Sequence, residues 1–153
     1  VRLFANERVR VNRIIGDYFE ETSDDLTNPD MRWQTGDIYL SSSQVYVLAP
    51  SEDTLFIGIP RNSILFEAHV ISEKPGKKTI QDGMKAMSWM FENTDCLKIE
   101  AYVPGCNNMA RALAVRCGME FEGVSKKSFL KNGELHNMNI YGIQKEAWLC
   151  QQQ

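Results

Sequence analysis

Residues 63–103 read SILFEAHVISEKPGKKTIQDGMKAMSWMFENTDCLKIEAYV. Two β-patterned stretches, 63–71 and 96–103, flank a segment in which Ile80, Met84, Met87 and Phe91 recur at i, i+4, i+7 and i+11. The flanking stretches read as strands, and the spacing between them follows the turn of a helix that begins after the break at Pro75-Gly76. A strand, a helix and a strand in this order form a crossover. Its two strands should lie side by side and parallel, because only a long connection returns the chain to the same end of a sheet. The spacing predicts parallel neighbours at 64–71 and 97–103, joined by the helix at 79–92. Pro104-Gly105 should stop the pairing and let the two strands splay at their C-terminal ends.

Upstream of this unit, QVYVLAP (44–50) and TLFIGIP (54–60) read as strands that end at prolines, with polar links between them. VRLF (1–4) reads as a short first strand. Val11, Ile14, Ile15, Tyr18 and Phe19 give an amphipathic helix. EETSDDLTNPDMRWQTGD (20–37) is polar, broken by Asn28-Pro29 and Gly36, and reads as a long loop of functional or mobile character. Downstream, CNNMARALAVRCGM (106–119) is a short helix closed by a glycine. FEGVSKKSFL (121–130) and ELHNMNIYGI (134–143) flank Asn132-Gly133, a type I′ hairpin signal. The fold class is therefore mixed α/β (α+β): one domain over 1–153, with a largely antiparallel sheet, a central strand-helix-strand crossover and a C-terminal hairpin.

Composition narrows the function classes. Apolar residues make up 43% and charged residues 24% of the 153 positions, which is globular composition. A formal net charge of −3 argues against a protein whose main work is gripping nucleic-acid backbones. The four cysteines show no C-x-x-C pair and there are only two histidines, so no metal site is expected. Scattered thiols fit a reducing compartment, and no apolar run approaches the roughly 20 residues that span a bilayer. With charges interrupting the N-terminal apolar residues, a soluble, cytoplasmic protein is the expectation.

Two residues stand out on chemical grounds. Strand alternation puts Leu65, Glu67, His69 and Ile71 on one face of the 63–71 strand and Phe66, Ala68 and Val70 on the other. A carboxylate and an imidazole thus share a face, where either could accept a proton. The plainer reading is a polar face that pairs with Lys98 or Glu100 on the neighbouring strand. Asn107 is placed to cap the helix that follows it. Cys117 reads as a packed small hydrophobe.

The helix segment resembles the N-x-x-A-x-x-L-Y-x-K-x-G-F pattern of the GNAT superfamily of acetyl-CoA-dependent N-acetyltransferases. Here the positions are Asn107, Ala110, Leu113, Ala114, Arg116, Gly118 and Met119, and five of seven agree when Arg counts for Lys. GMEFEGV and KNGELHNMNIYGIQKEAW resemble the terminal hairpin of the branch that includes ribosomal-protein N-acetyltransferases. EAHVISEKPGKK resembles the strand and turn entering that family's CoA loop. The resemblance, over about residues 44–148, implies a GNAT-like fold, acetyl-CoA as cofactor and an amine as acceptor. It implies that Glu67 and His69 border the acceptor and that backbone groups of Val70 and Ile71 serve the thioester carbonyl. It also implies that Lys77, Lys78 and Thr79 face the pyrophosphate and that Asn107 lies beside the pantetheine arm. Trp33 would line the acceptor pocket or anchor the long loop.

Departures from the family pattern leave further readings open. The expected Q/R-x-x-G-x-G/A loop is KPGKKTIQDG here, with lysines and a threonine where more glycines stand in the family. The tyrosine that often serves as general acid is Ala114. A chain of this kind also resembles a head-assembly protein family of short-tailed bacteriophages, which would imply a silent virion component with phage structural proteins as partners. A CoA-binding module without transfer lies between the two.

Overall fold

The computed structural model describes residues 2–15 and 39–153. The long 20–37 loop with Trp33, and Tyr18 and Phe19 of the first helical pattern, lie outside the described residues. The described helices are α1 (Arg8–Ile15), α2 (Lys77–Asn93), α3 (Asn108–Arg116) and α4 (Lys145–Gln151). Six strands, β1 (Tyr46–Leu48), β2 (Thr54–Pro60), β3 (Leu65–Ser72), β4 (Lys98–Pro104), β5 (Glu120–Lys131) and β6 (Glu134–Gln144), form one sheet in the order β1-β2-β3-β4-β6-β5. Every pairing is antiparallel except β3 with β4.

Apolar residues settle which element covers which face. Ala86, Met87, Met90 and Phe91 form one stripe of α2 and bury against Phe56, Phe66, Ile99, Tyr141 and Ile143. On the opposite face, Val11, Ile14 and Ile15 of α1 pack on Leu55, Ile57 and Ile71. Strand β2 is covered on both sides, which is why TLFIGIP reads as a continuous apolar run rather than an alternation. Burying side chains such as Phe56 or Leu55 contributes about 1.5–3 kcal/mol each.

The predicted crossover is present. Leu65 pairs with Lys98, Phe66 with Ile99 and Glu67 with Glu100, in parallel. Beyond Glu67 the two strands part, although β3 continues to Ser72 and β4 to Pro104. Each stays bonded to its outer neighbour, Ser72 to Thr54 on β2 and Pro104 to Met138 on β6. The splay is therefore as expected, but its cause is not Pro104-Gly105. Pairing ends four residues earlier, and Pro104 remains inside the β4–β6 ladder.

Hairpin β5–β6 turns through Asn132 (φ 51°) and Gly133 (φ 76°), the two left-handed residues that a type I′ turn requires. Helix α3 ends on Gly118 at φ 87°, with the Met119 N–H donating to the Ala114 carbonyl, as in a glycine-terminated helix. Two short expectations fail. The described residues of VRLF contribute a single bridge, Arg2 to Leu48, before a 3₁₀ turn at Ala5–Glu7, and QVYVLAP keeps only Tyr46–Leu48 as strand. Helix α4 carries Trp148, which tilts against Phe91 at 6.2 Å between ring centroids.

Candidate active site

The parting of β3 and β4 opens a cavity of about 320 Å³. Ala68 and Val70 wall it on one side and Ala101, Tyr102 and Val103 on the other, while α3 lays Asn107, Ala110, Leu113 and Ala114 along it. A second cavity, about 460 Å³, lies between the end of β3, the start of α2 and the outer turns of α3. Val70, Ala110 and Leu113 line both. One groove thus runs from the N-terminus of α2 to the middle of the sheet.

Glu67 and His69 both face the first cavity. Glu67 is buried, and both of its carboxylate oxygens are engaged: Arg61 Nη2 donates to Oε2, and His69 Nε2 lies 2.9 Å from Oε1. Burial pushes the Glu67 pKa up, but the His69 hydrogen bond and the charges of His69 and Arg61 outweigh it and hold the carboxyl below its ordinary value. Glu100 stands opposite Glu67 across the sheet, as expected, but the Glu67 carboxylate bonds neither Glu100 nor Lys98. Lys98 turns to Glu122 at 2.5 Å and to Glu100 at 3.6 Å, while the Tyr102 hydroxyl donates to Glu100 at 3.1 Å.

Val70 and Ile71 sit where β3 has lost its β4 partner. Successive N–H groups of a strand point to opposite sides, so one of this pair aims into the gap. Asn107 does what its position predicts: its Oδ1 accepts the Ala110 N–H at 3.0 Å and caps α3, while the residue also lines the first cavity. The two readings of Asn107 are compatible.

At the far end the expectation divides. Lys77 and Thr79 line the second cavity, with Arg116 of α3. Lys78 does not; its Nζ is 3.7 Å from Asp53, which also holds Lys74 at 3.6 Å. Thr79 is buried and its Oγ1 accepts the Gly76 N–H at 3.1 Å, which closes the first turn of α2.

Three residues around Glu67 escape a strand-by-strand reading: Tyr39, Arg61 and Tyr102. Burial first, and the Glu67 charge second, raise the Tyr39 pKa, so this phenol shares the neighbourhood of the carboxylate. Tyr102 is raised by burial and then by its hydrogen bond to Glu100. Arg61 carries a signal that register alone supplies. Ile59 stands opposite Glu67, so Arg61, two residues on, is its diagonal neighbour on the same face. Ala114, standing where the family tyrosine was expected, is buried in the cavity wall and provides no proton donor. Cys117 behaves as the small hydrophobe expected: it is buried, and burial pushes its thiol up to about 11. Among the described residues no group of His, Cys, Asp and Glu could hold a metal ion, and no helix is long and apolar enough to cross a membrane.

No protein-family model matches the chain, and no curated protein matches it. Solved structures do. A mutant form of the spermidine/spermine N-acetyltransferase from Vibrio cholerae superposes with a TM-score of 0.79 at 17% identity, covering 100% of this chain and 96% of that one. The Vibrio cholerae spermidine N-acetyltransferase in complex with CoA and spermine gives 0.77 at 17% identity over 97% and 96% of the two chains. The ribosomal-protein-S5-alanine acetyltransferase from Vibrio fischeri gives 0.71 at 13% identity over 97% and 93%. None of these three is a bacteriophage head protein, so that resemblance gains no support from them. With the splayed parallel pair, the helix laid along its gap and the terminal hairpin in place, the chain has the fold of the GNAT acetyltransferases.

Proposed function

We propose that this protein transfers an acetyl group from acetyl-CoA to an amine. The carrying observation is the groove: a gap between parallel strands opens onto the two carboxylate- and imidazole-bearing positions and continues to the N-terminus of a long helix. Its residues fit the cofactor. Apolar walls from Val70, Ala110 and Leu113 suit a thin flexible arm, and Lys77, Arg116 and the first N–H groups of α2 suit phosphates. When bound, acetyl-CoA supplies an activated acetyl thioester.

The chain's own groups then have distinct tasks. His69, whose Nε2 lies against Glu67 Oε1, takes the proton of an incoming ammonium at its other ring nitrogen. Glu67, ionised and engaged at both oxygens, orients that ring and stabilises the imidazolium. The β3 N–H that aims into the gap donates to the carbonyl oxygen as it gains negative charge. Tyr102 lines the cavity wall but its hydroxyl donates to Glu100, so it does not replace the family tyrosine as donor to the leaving thiolate. Calorimetric titration with acetyl-CoA, followed by thiol release with a panel of amines, tests the reading. Absence of both heat and thermal protection at saturating acetyl-CoA refutes it.

A further inference from the structure

We infer that Arg61 selects the acceptor, and that the acceptor is an amine carrying its own carboxylate rather than a polycation. The inference rests on the acetyl-transfer reading for the word acceptor, but its geometry stands alone. Glu67 is the one carboxylate among the described residues lining the first cavity, and Arg61 and His69 already engage both its oxygens. Its neighbour in register, Glu100, is occupied by Lys98 and Tyr102. An approaching ammonium therefore meets carboxylates whose charge is already matched within the protein.

Arg61 is different. Its side chain is 51% exposed, and its bond to Glu67 uses one Nη of a five-donor fork. The guanidinium carbon lies 5.5 Å from the centroid of the Tyr102 ring, and Tyr102 forms the cavity wall. The hairpin turn fixes the base of the side chain: Arg61 N–H donates to the Leu65 carbonyl at 2.8 Å, and Asn62 Oδ1 accepts the Leu65 N–H at 2.8 Å. A held, half-exposed guanidinium against two residues of the cavity wall, Glu67 and Tyr102, fits a carboxylate geometrically in a way an ammonium cannot. Glu67 bonds both Arg61 and His69, so a carboxylate held at Arg61 lies on the same side-chain network as His69.

The test is binding, read by ligand-observed NMR on the protein with and without CoA. The probes are β-alanine, its isostere β-alaninamide, and spermidine. A hydrogen bond to a charged partner at a half-exposed site corresponds to about a tenfold preference for β-alanine over β-alaninamide. Arg61→Gln should abolish that preference and bring spermidine binding up, while Arg61→Lys should keep part of it. Equal binding of the isosteres by the native protein, tighter binding of spermidine, or a preference that survives Arg61→Gln overturns the inference. Failure of acetyl-CoA to bind, with the β-alanine preference intact, instead removes the proposed activity and leaves the selector in place.

Discussion

Asp53 holds two of the lysines near the proposed phosphate end of the groove, and neutralising it should strengthen cofactor binding. Lys74 and Lys78 lie 3.6 and 3.7 Å from its carboxylate, and both lysine side chains are well exposed. At such distances a pair in water attracts by about 1 kcal/mol, and exposed pairs yield about 0.2–1 kcal/mol after entropy and screening. Asp53→Asn frees both ammonium groups and removes a negative charge beside the incoming phosphates. Two such increments amount to about 0.5–2 kcal/mol, a gain of roughly 2- to 30-fold in CoA affinity. The gain must shrink at high salt, because it is carried over distances that a Debye length of about 8 Å screens. The fold should tolerate the change: the Asp53 carbonyl, which accepts the Glu73 N–H at 2.9 Å, is untouched. Calorimetric titration of CoA into native and Asp53→Asn protein at low and high salt decides it. Equal or weaker binding by the variant at low salt would mean that Lys74 and Lys78 do not reach the phosphates.

Three further outcomes follow from named geometry. Neutralising Lys77 and Lys78 together should weaken CoA binding in a salt-dependent way while shifting stability by less than about 0.5 kcal/mol; salt-independent loss would contradict the electrostatic role. Asn107→Ala should cost about 1 kcal/mol in denaturant unfolding through the lost cap on Ala110, with weaker CoA binding that does not depend on salt. Glu67 has a folded pKa below its unfolded value, so its stabilisation is present above the unfolded pKa of about 4.3 and is lost as pH falls through the folded pKa. Glu67→Gln should accordingly flatten the acid limb of stability against pH, and an unchanged limb would show that the Arg61 and His69 contacts do not hold the ionised form.

The sequence by itself determined most of the elements and the central crossover. Ile80, Met84, Met87 and Phe91 could only be a helix stripe, and the strands on either side had to run parallel because the connection between them is long. Asn132-Gly133 specified its own turn, because two adjacent positive φ angles are a local requirement. Alternation along β3 put Glu67 and His69 on one face, and the 2.9 Å contact between them follows. These are short-range facts, and a linear pattern contains them.

Partner choice was decided only in three dimensions. Glu67 stands opposite Glu100 across the sheet, as expected, yet its carboxylate turns to Arg61, because the β2–β3 register brings Arg61 diagonally across while Lys98 is drawn to Glu122. Lys77 and Lys78 are adjacent in sequence, but successive residues on a helix point about 100° apart. One therefore faces the cavity and the other reaches Asp53 on the β1–β2 connection. The gap itself opens after Glu67 and Glu100, well before Pro104, because the outer ladders to β2 and β6 hold each strand along its own course. Local preference selects strand, helix and turn; which side chain meets which is set by the register and packing of segments far apart in the chain.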